Sequence, residues 1–430
     1  MSRLYSFVLL LFLCACGGGG GNSSDIGPGG SNPDLSDVSP YTQASPYLNV
    51  LKDCATAAHL TSLCSMETLP LVGQELPAPT VADLMGRVLV SHPWMGERLE
   101  LVLNQLPPDL LTLFKGVTAI VIDADIRPSF YSPNTAAIYL DPANLWLTNE
   151  EKATITKNAD FRQDFGSELQ FVTLWRYVKS DAYAYNFYPL DGTETRQLDD
   201  IIYPFSRVLY HELAHANDFL PPATQTILDR HLTPYAASVA IENQSLPGHL
   251  NSITVLSAQL FLDLAKVLFL GVPASAEQQS LSAAQLGPDF AVDVANDIYG
   301  YSTKHEDIAM LFEEVMMKYH FDLDRDIAFT DRPLTPEPAC DDYSVQWGVR
   351  NRLGEPRVRL RAEQVVANLL PDTDLSAFFS SVPSPTQMTN NQGWCQNLSL
   401  STLVPQGVSA AALPISAPSA DQFKGDLLVP

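Results

Sequence analysis

Hydrophobic and polar positions divide the chain into stretches of different period. Leu4 to Ala15 is apolar except for Ser6, which suits a signal peptide and is too short to span a bilayer. Residues 16–46 are rich in Gly, Ser, Asn, Asp and Pro, so they cannot build a core and read as a flexible tether. Ala78 to Phe114 favours helices, broken once at Pro107-Pro108. The β-branched run Val117 to Asp123 predicts a buried strand, and Ala136 to Asp141 a second one after the loop Pro128 to Asn134. The aromatics of Leu174 to Tyr188 are read as core filling. Asp199 to Phe219 predicts a helix stopped by Pro221-Pro222, and Ile298 to Phe321 contains another, with Ile308, Leu311, Phe312, Val315 and Met316 at helical spacing.

Ile253 to Val272 is apolar, but Asp263 and Lys266 interrupt it, which favours an amphipathic or buried helix over a membrane span. Beyond Asp331 prolines crowd together, marking a boundary. Arg357, Arg359 and Arg361 alternate with Val358 and Leu360, the pattern of one charged strand face near Arg350 and Arg352. The expected architecture is α+β: a predominantly helical core with a small sheet over residues 47–332, a C-terminal appendage over 333–402 and a mobile tail over 403–430.

Composition narrows the function classes. With 46% apolar and 17% charged residues in 430, the chain has ample material for a core. Its 25 Lys+Arg against 49 Asp+Glu leave a net charge of −24, which repels phosphate backbones and excludes nucleic acid as a natural partner. Arg3 supplies the positive start of an export signal, and Leu13-Cys14-Ala15-Cys16 resembles the lipobox of bacterial lipoproteins. That resemblance implies residues 1–15 are removed, Cys16 is lipidated, and the protein is held in the cell envelope by acyl chains. Gly17 stands where inner-membrane lipoproteins carry Asp, so the implied destination is the outer membrane. Cys54, Cys64, Cys340 and Cys395 then remain in an oxidising compartment, and of three connectivities the local one, Cys54–Cys64 with Cys340–Cys395, closes the shortest loops.

The chemistry concentrates in His211-Glu212-Leu213-Ala214-His215, an HExxH on a predicted helix. Residues i and i+4 share a face, so both imidazoles reach one ion, with Glu212 beside it as a general base. A catalytic zinc site takes three protein ligands and leaves room for water. Metzincins place a third His six residues after the second, and that position here is Pro221. The remaining pattern is an acid on a later helix: Glu306, near a helix N-terminus where an anion is favoured, with Glu313 and Glu314 as alternatives. Asp218 is placed to orient a ligand imidazole.

On these residues, the span from about Val117 to Phe321 resembles the gluzincin group of zinc metallopeptidases, especially lethal-factor-type members with Glu-Asp-x-Ala on the second helix. The resemblance implies a zincin-like catalytic core, one Zn²⁺ held by His211, His215 and Glu306, and Glu212 as base. It further implies Tyr299 as oxyanion donor, Asp307 as an acid behind the ligands, and a peptide or protein substrate. Met310 departs from the pattern, because similar sequences often carry an acid there. Strand Ala136 to Asp141 is the candidate edge for an extended substrate. The competing expectation is a non-catalytic envelope lipoprotein that keeps the metal site as a binding or assembly module.

Overall fold

A computed structural model describes residues 33–242, 255–400 and 425–427. The signal peptide, the lipidation site Cys16 and the first part of the tether lie outside the described residues. The chain is a mixed helix-and-sheet structure with two sheets.

The first sheet comprises β1 (Ser39–Pro40), β2 (Val88–Val90), β3 (Ala119–Ile122), β4 (Phe130–Ser132) and β5 (Ala137–Leu140), in the order β1-β2-β3-β5-β4. Strands β2, β3 and β5 run parallel, flanked by antiparallel β1 and β4. Side chains alternate across a pleated strand. Val88, Val90, Ile120, Ile122, Ile138 and Leu140 therefore enter the main helical core, while Leu89, Ala119, Val121, Ala137 and Tyr139 face a layer holding Val38, Leu51, Cys54 and Ala55. Two expectations change here. The tether does not run to residue 46, because Val38 is buried and β1 adds to β2. The strand predicted at Ala136 to Asp141 is real, but it lies between β3 and β4, so its backbone is already paired and the open edge is β4.

The second sheet is antiparallel: β6 (Phe171–Lys179), β7 (Ala182–Tyr183), β8 (Asp324–Asp331), β9 (Ser344–Arg350), β10 (Thr386–Gln387) and β11 (Gln392–Gly393). Its order is β10-β9-β8-β6-β7, with β11 also on β9. The expected appendage over 333–402 is thus built into the body. Strand β9 pairs with β8 along its length, and Val345, Met388 and Trp394 cover one sheet face with Leu174 and Ala328.

Among the described residues, five helices of eleven residues or more pack around the sheets: α1 (Pro93–Leu103), α2 (Leu198–Phe219), α3 (Gln259–Leu270), α4 (Lys304–Phe321) and α5 (Pro356–Leu369). The arginines read as a strand face lie on α5 instead. Glu355 caps this helix by accepting from the backbone N–H groups of Arg357 and Val358, and Pro356 opens it. Arg361 is fully buried and pairs with Asp307 of α4, while Arg350 of β9 grips Asp326. Among the described residues no helix is long and apolar enough to cross a membrane. Most of the expected mobile tail lies outside the described residues, but Asp426 is buried and accepts hydrogen bonds from Tyr183 and Trp394.

Both expected disulfides are present, Cys54–Cys64 closing a separation of 10 residues and Cys340–Cys395 one of 55. Loop-closure entropy grows with the logarithm of that separation, giving about 3 kcal/mol for the first and about 4 kcal/mol for the second. Denaturant titration is expected to show a larger loss for C340S/C395S than for C54S/C64S. The reverse order would mean that the entropic term does not govern this chain.

Candidate metal centre

Helix α2 starts where Asp200 accepts a hydrogen bond from the Gln197 backbone N–H, with Asp199 and Asp200 favouring the positive helix end. Pro221 ends it. Its apolar residues Ile201, Phe205, Leu209 and Leu213 bury one flank in the core, which fixes the rotation of the helix and turns His211 and His215 towards α4. Helix α4 opens on Thr303, whose hydroxyl accepts from the Glu306 backbone N–H at 3.1 Å, and closes on Asp322 in the left-handed region at φ 55°. Glu306 sits in its first turn, where the helix end favours its charge.

The two helices bring three donor atoms together. His211 Nε2 and His215 Nε2 are 3.3 Å apart, and Glu306 Oε2 lies 3.0 Å from the first and 3.4 Å from the second. All three residues are buried. Donors about 2.0–2.1 Å from a tetrahedral ion stand roughly 3.3 Å from one another, so these separations match the edge of such a polyhedron. Two neutral imidazole nitrogens and one carboxylate oxygen are also a donor set that a borderline divalent cation accepts. The group can hold a metal ion. Glu313 and Glu314 are not part of it.

The electrostatics agree with a cation at this point. Burial alone would push His211 towards its neutral form, but its hydrogen bonds to Glu306 and Glu313 prevail and raise it to about 10. Burial likewise opposes a charged Glu306, yet His215 and His211 hold it well below the usual carboxylate range. Without metal the cluster therefore retains a proton among its donors. Glu212, next to them and buried, is raised because desolvation outweighs the two histidines, which inclines it to take up a proton.

The other expected residues fall in different places. Tyr299 is adjacent to the centre, its ring stacked beside that of His211 at 6.2 Å between centroids. Asp307 lies one residue past Glu306 but turns to Arg361. Asp218 hydrogen bonds to His305 Nδ1 at 2.5 Å, and the His305 ring stacks on Phe219. The expected Asp218–ligand contact is thus replaced by one with His305, the residue preceding Glu306.

The acid that meets a ligand imidazole is Glu313, whose Oε2 lies 3.2 Å from His211 Nδ1. A carboxylate on Nδ1 orients the ring and leaves Nε2 for the metal. Seven residues separate Glu306 from Glu313, two helical turns, so the same helix face presents one acid to each nitrogen of His211. That spacing was available in the sequence; Arg207, Tyr177 and Arg325, the other partners of Glu313, carried no such signal. Comparison with known proteins finds no matching family model, no matching curated relative and no matching solved structure.

Proposed function

We propose that the protein is a zinc-dependent metallopeptidase of gluzincin type with a zincin-like core, carried in the bacterial envelope on a lipidated Cys16. The observation that carries this reading is the convergence of His211, His215 and Glu306 at tetrahedral edge distances, with Glu212 buried beside them. When bound, zinc acidifies water towards a pKa of ~7 and polarises a peptide carbonyl.

Glu212 takes the proton of the attacking water and returns it to the leaving amine. Its desolvated position suits this exchange, because a carboxylate whose proton affinity is raised accepts a proton more readily than a solvated one. Tyr299 donates to the developing oxyanion, a contribution of ~2.7–4 kcal/mol for one well-placed donor. Strand β4 offers the open edge for an extended peptide, and its Tyr131 packs against Phe219 at the end of α2, which ties that edge to the helix of the motif.

The test is hydrolysis of an unfolded protein by the purified chain. Activity is expected to disappear on chelation and to return with stoichiometric zinc. Full zinc loading without cleavage of any unfolded substrate would instead support a binding or assembly module.

A further inference from the structure

Behind the three donors lies a buried ionic network that the proposed mechanism does not use. Glu313 receives four hydrogen bonds, two on each oxygen. Oε2 faces His211 Nδ1 at 3.2 Å and Arg207 at 3.3 Å, while Oε1 faces the Tyr177 hydroxyl at 2.9 Å and Arg325 at 3.2 Å. Donors on Oε1 set the rotation of the carboxylate and so decide where Oε2 points.

Arg325, in β8, has a second acid. Its Nε and second terminal nitrogen both reach Asp297 Oδ2, at 3.2 and 2.7 Å. The other oxygen of Asp297 accepts the backbone N–H of Tyr299 at 2.8 Å, capping the short turn Ile298–Tyr301 that carries the ring beside His211. Arg325 is 2% exposed, and its guanidinium lies 4.5 Å from the centre of the Trp175 ring. A planar fork between two acids in a fixed pocket is a rigid connector, which an ammonium cannot imitate.

We propose that Arg325 is a positioning residue of the metal centre: one guanidinium sets His211 through Glu313 and the Tyr299 turn through Asp297. The inference rests on His211, His215 and Glu306 holding a metal, and not on peptide hydrolysis. It assigns Asp297, which hydrogen bonds to no donor of the centre, an effect on metal affinity.

The experiment measures zinc affinity by chelator competition on the full chain, for the parent, R325K, D297N and the double variant. Melting temperatures of the metal-free proteins are recorded in parallel. R325K keeps the charge and loses the fork; D297N keeps the oxygen that accepts from Tyr299 and loses the charge that holds Arg325. R325K is expected to bind zinc ~10–100-fold more weakly, the range for partners behind a ligand, and D297N several-fold more weakly. The double variant is expected to match R325K, because both changes act through one connector.

Lower melting temperatures with zinc affinity unchanged in R325K and D297N would overturn the proposal and leave the peptidase reading intact. Weakened affinity in those variants, with no cleavage by the parent, would support the proposal and overturn the peptidase reading instead. A parent without zinc affinity overturns both. If R325K does not fold, D297N decides alone.

Discussion

Replacing Glu212 by Gln is expected to lower hydrolysis of an unfolded substrate by ~10²–10⁴-fold, the usual share of a positioned general base. Gln has nearly the same shape and cannot accept the proton of the attacking water. Zinc content is expected to stay at the parental level, since the cluster of donor atoms is His211, His215 and Glu306 without Glu212. Stability distinguishes this role from a structural one. Burial disfavours the charge of Glu212, so a neutral amide at that place removes a desolvation cost, and the E212Q melting temperature is expected to be no lower than the parent's. Metal analysis, melting and initial rates on the same preparations check all three statements. Rates equal to the parent's would remove Glu212 from the chemistry, whatever the metal does.

How much of this was legible in the sequence follows from what each residue's signal depends on. HExxH is local: helical periodicity alone puts His211 and His215 on one face, and their nitrogens lie 3.3 Å apart. Glu306 required two helices to be recognised separately, and both were, because α2 runs to a stop at Pro221-Pro222 and in α4 Ile308, Leu311, Phe312, Val315 and Met316 stand at helical spacing. Strands β6 and β8 were hidden for opposite reasons. In β6, Phe171, Leu174 and Tyr177 each enter a different core cluster, so the alternation that marks a strand is lost. In β8, Arg325 and Asp326 are buried as ion pairs, so charged residues break the apolar pattern by which a buried strand is recognised. Arg361 misled in the same way: three arginines in alternation imitate a strand face, while Glu355 and Pro356 before them were the better signal for a helix. What sequence pattern could not supply was which charges meet, because the Glu313–Arg325–Asp297 network joins residues whose pairing only the fold determines.

Glu306→Ala is expected to cost the centre most of its metal. If three ligands share a binding free energy on the order of 10 kcal/mol, losing one forfeits about 3 kcal/mol, or ~10²–10³-fold in affinity. The contrast with Glu313→Gln is informative, because Glu313 meets His211 at Nδ1 while Glu306 meets Nε2, the nitrogen turned to His215. A ligand and an orienting acid should therefore separate by about one order of magnitude in the same chelator competition.

The metal-free proteins add a pH dependence whose sign is fixed by the two partners. Glu306 is held below its ordinary value of 4.5, so its stabilising contribution is present above that pH and is lost as acid protonates it. His211 is raised from 6.5 to about 10, so its contribution is complete below 6.5 and is lost as pH rises towards 10. The stability gap between the parent and E306A is thus expected to be widest between these limits and to narrow on both sides. Denaturant titrations of the metal-free forms across that range measure it directly. A gap that stays constant from acid to alkali would mean that Glu306 and His211 do not share a proton when the metal is absent, and E306A with full zinc content would transfer the third ligand to another acid.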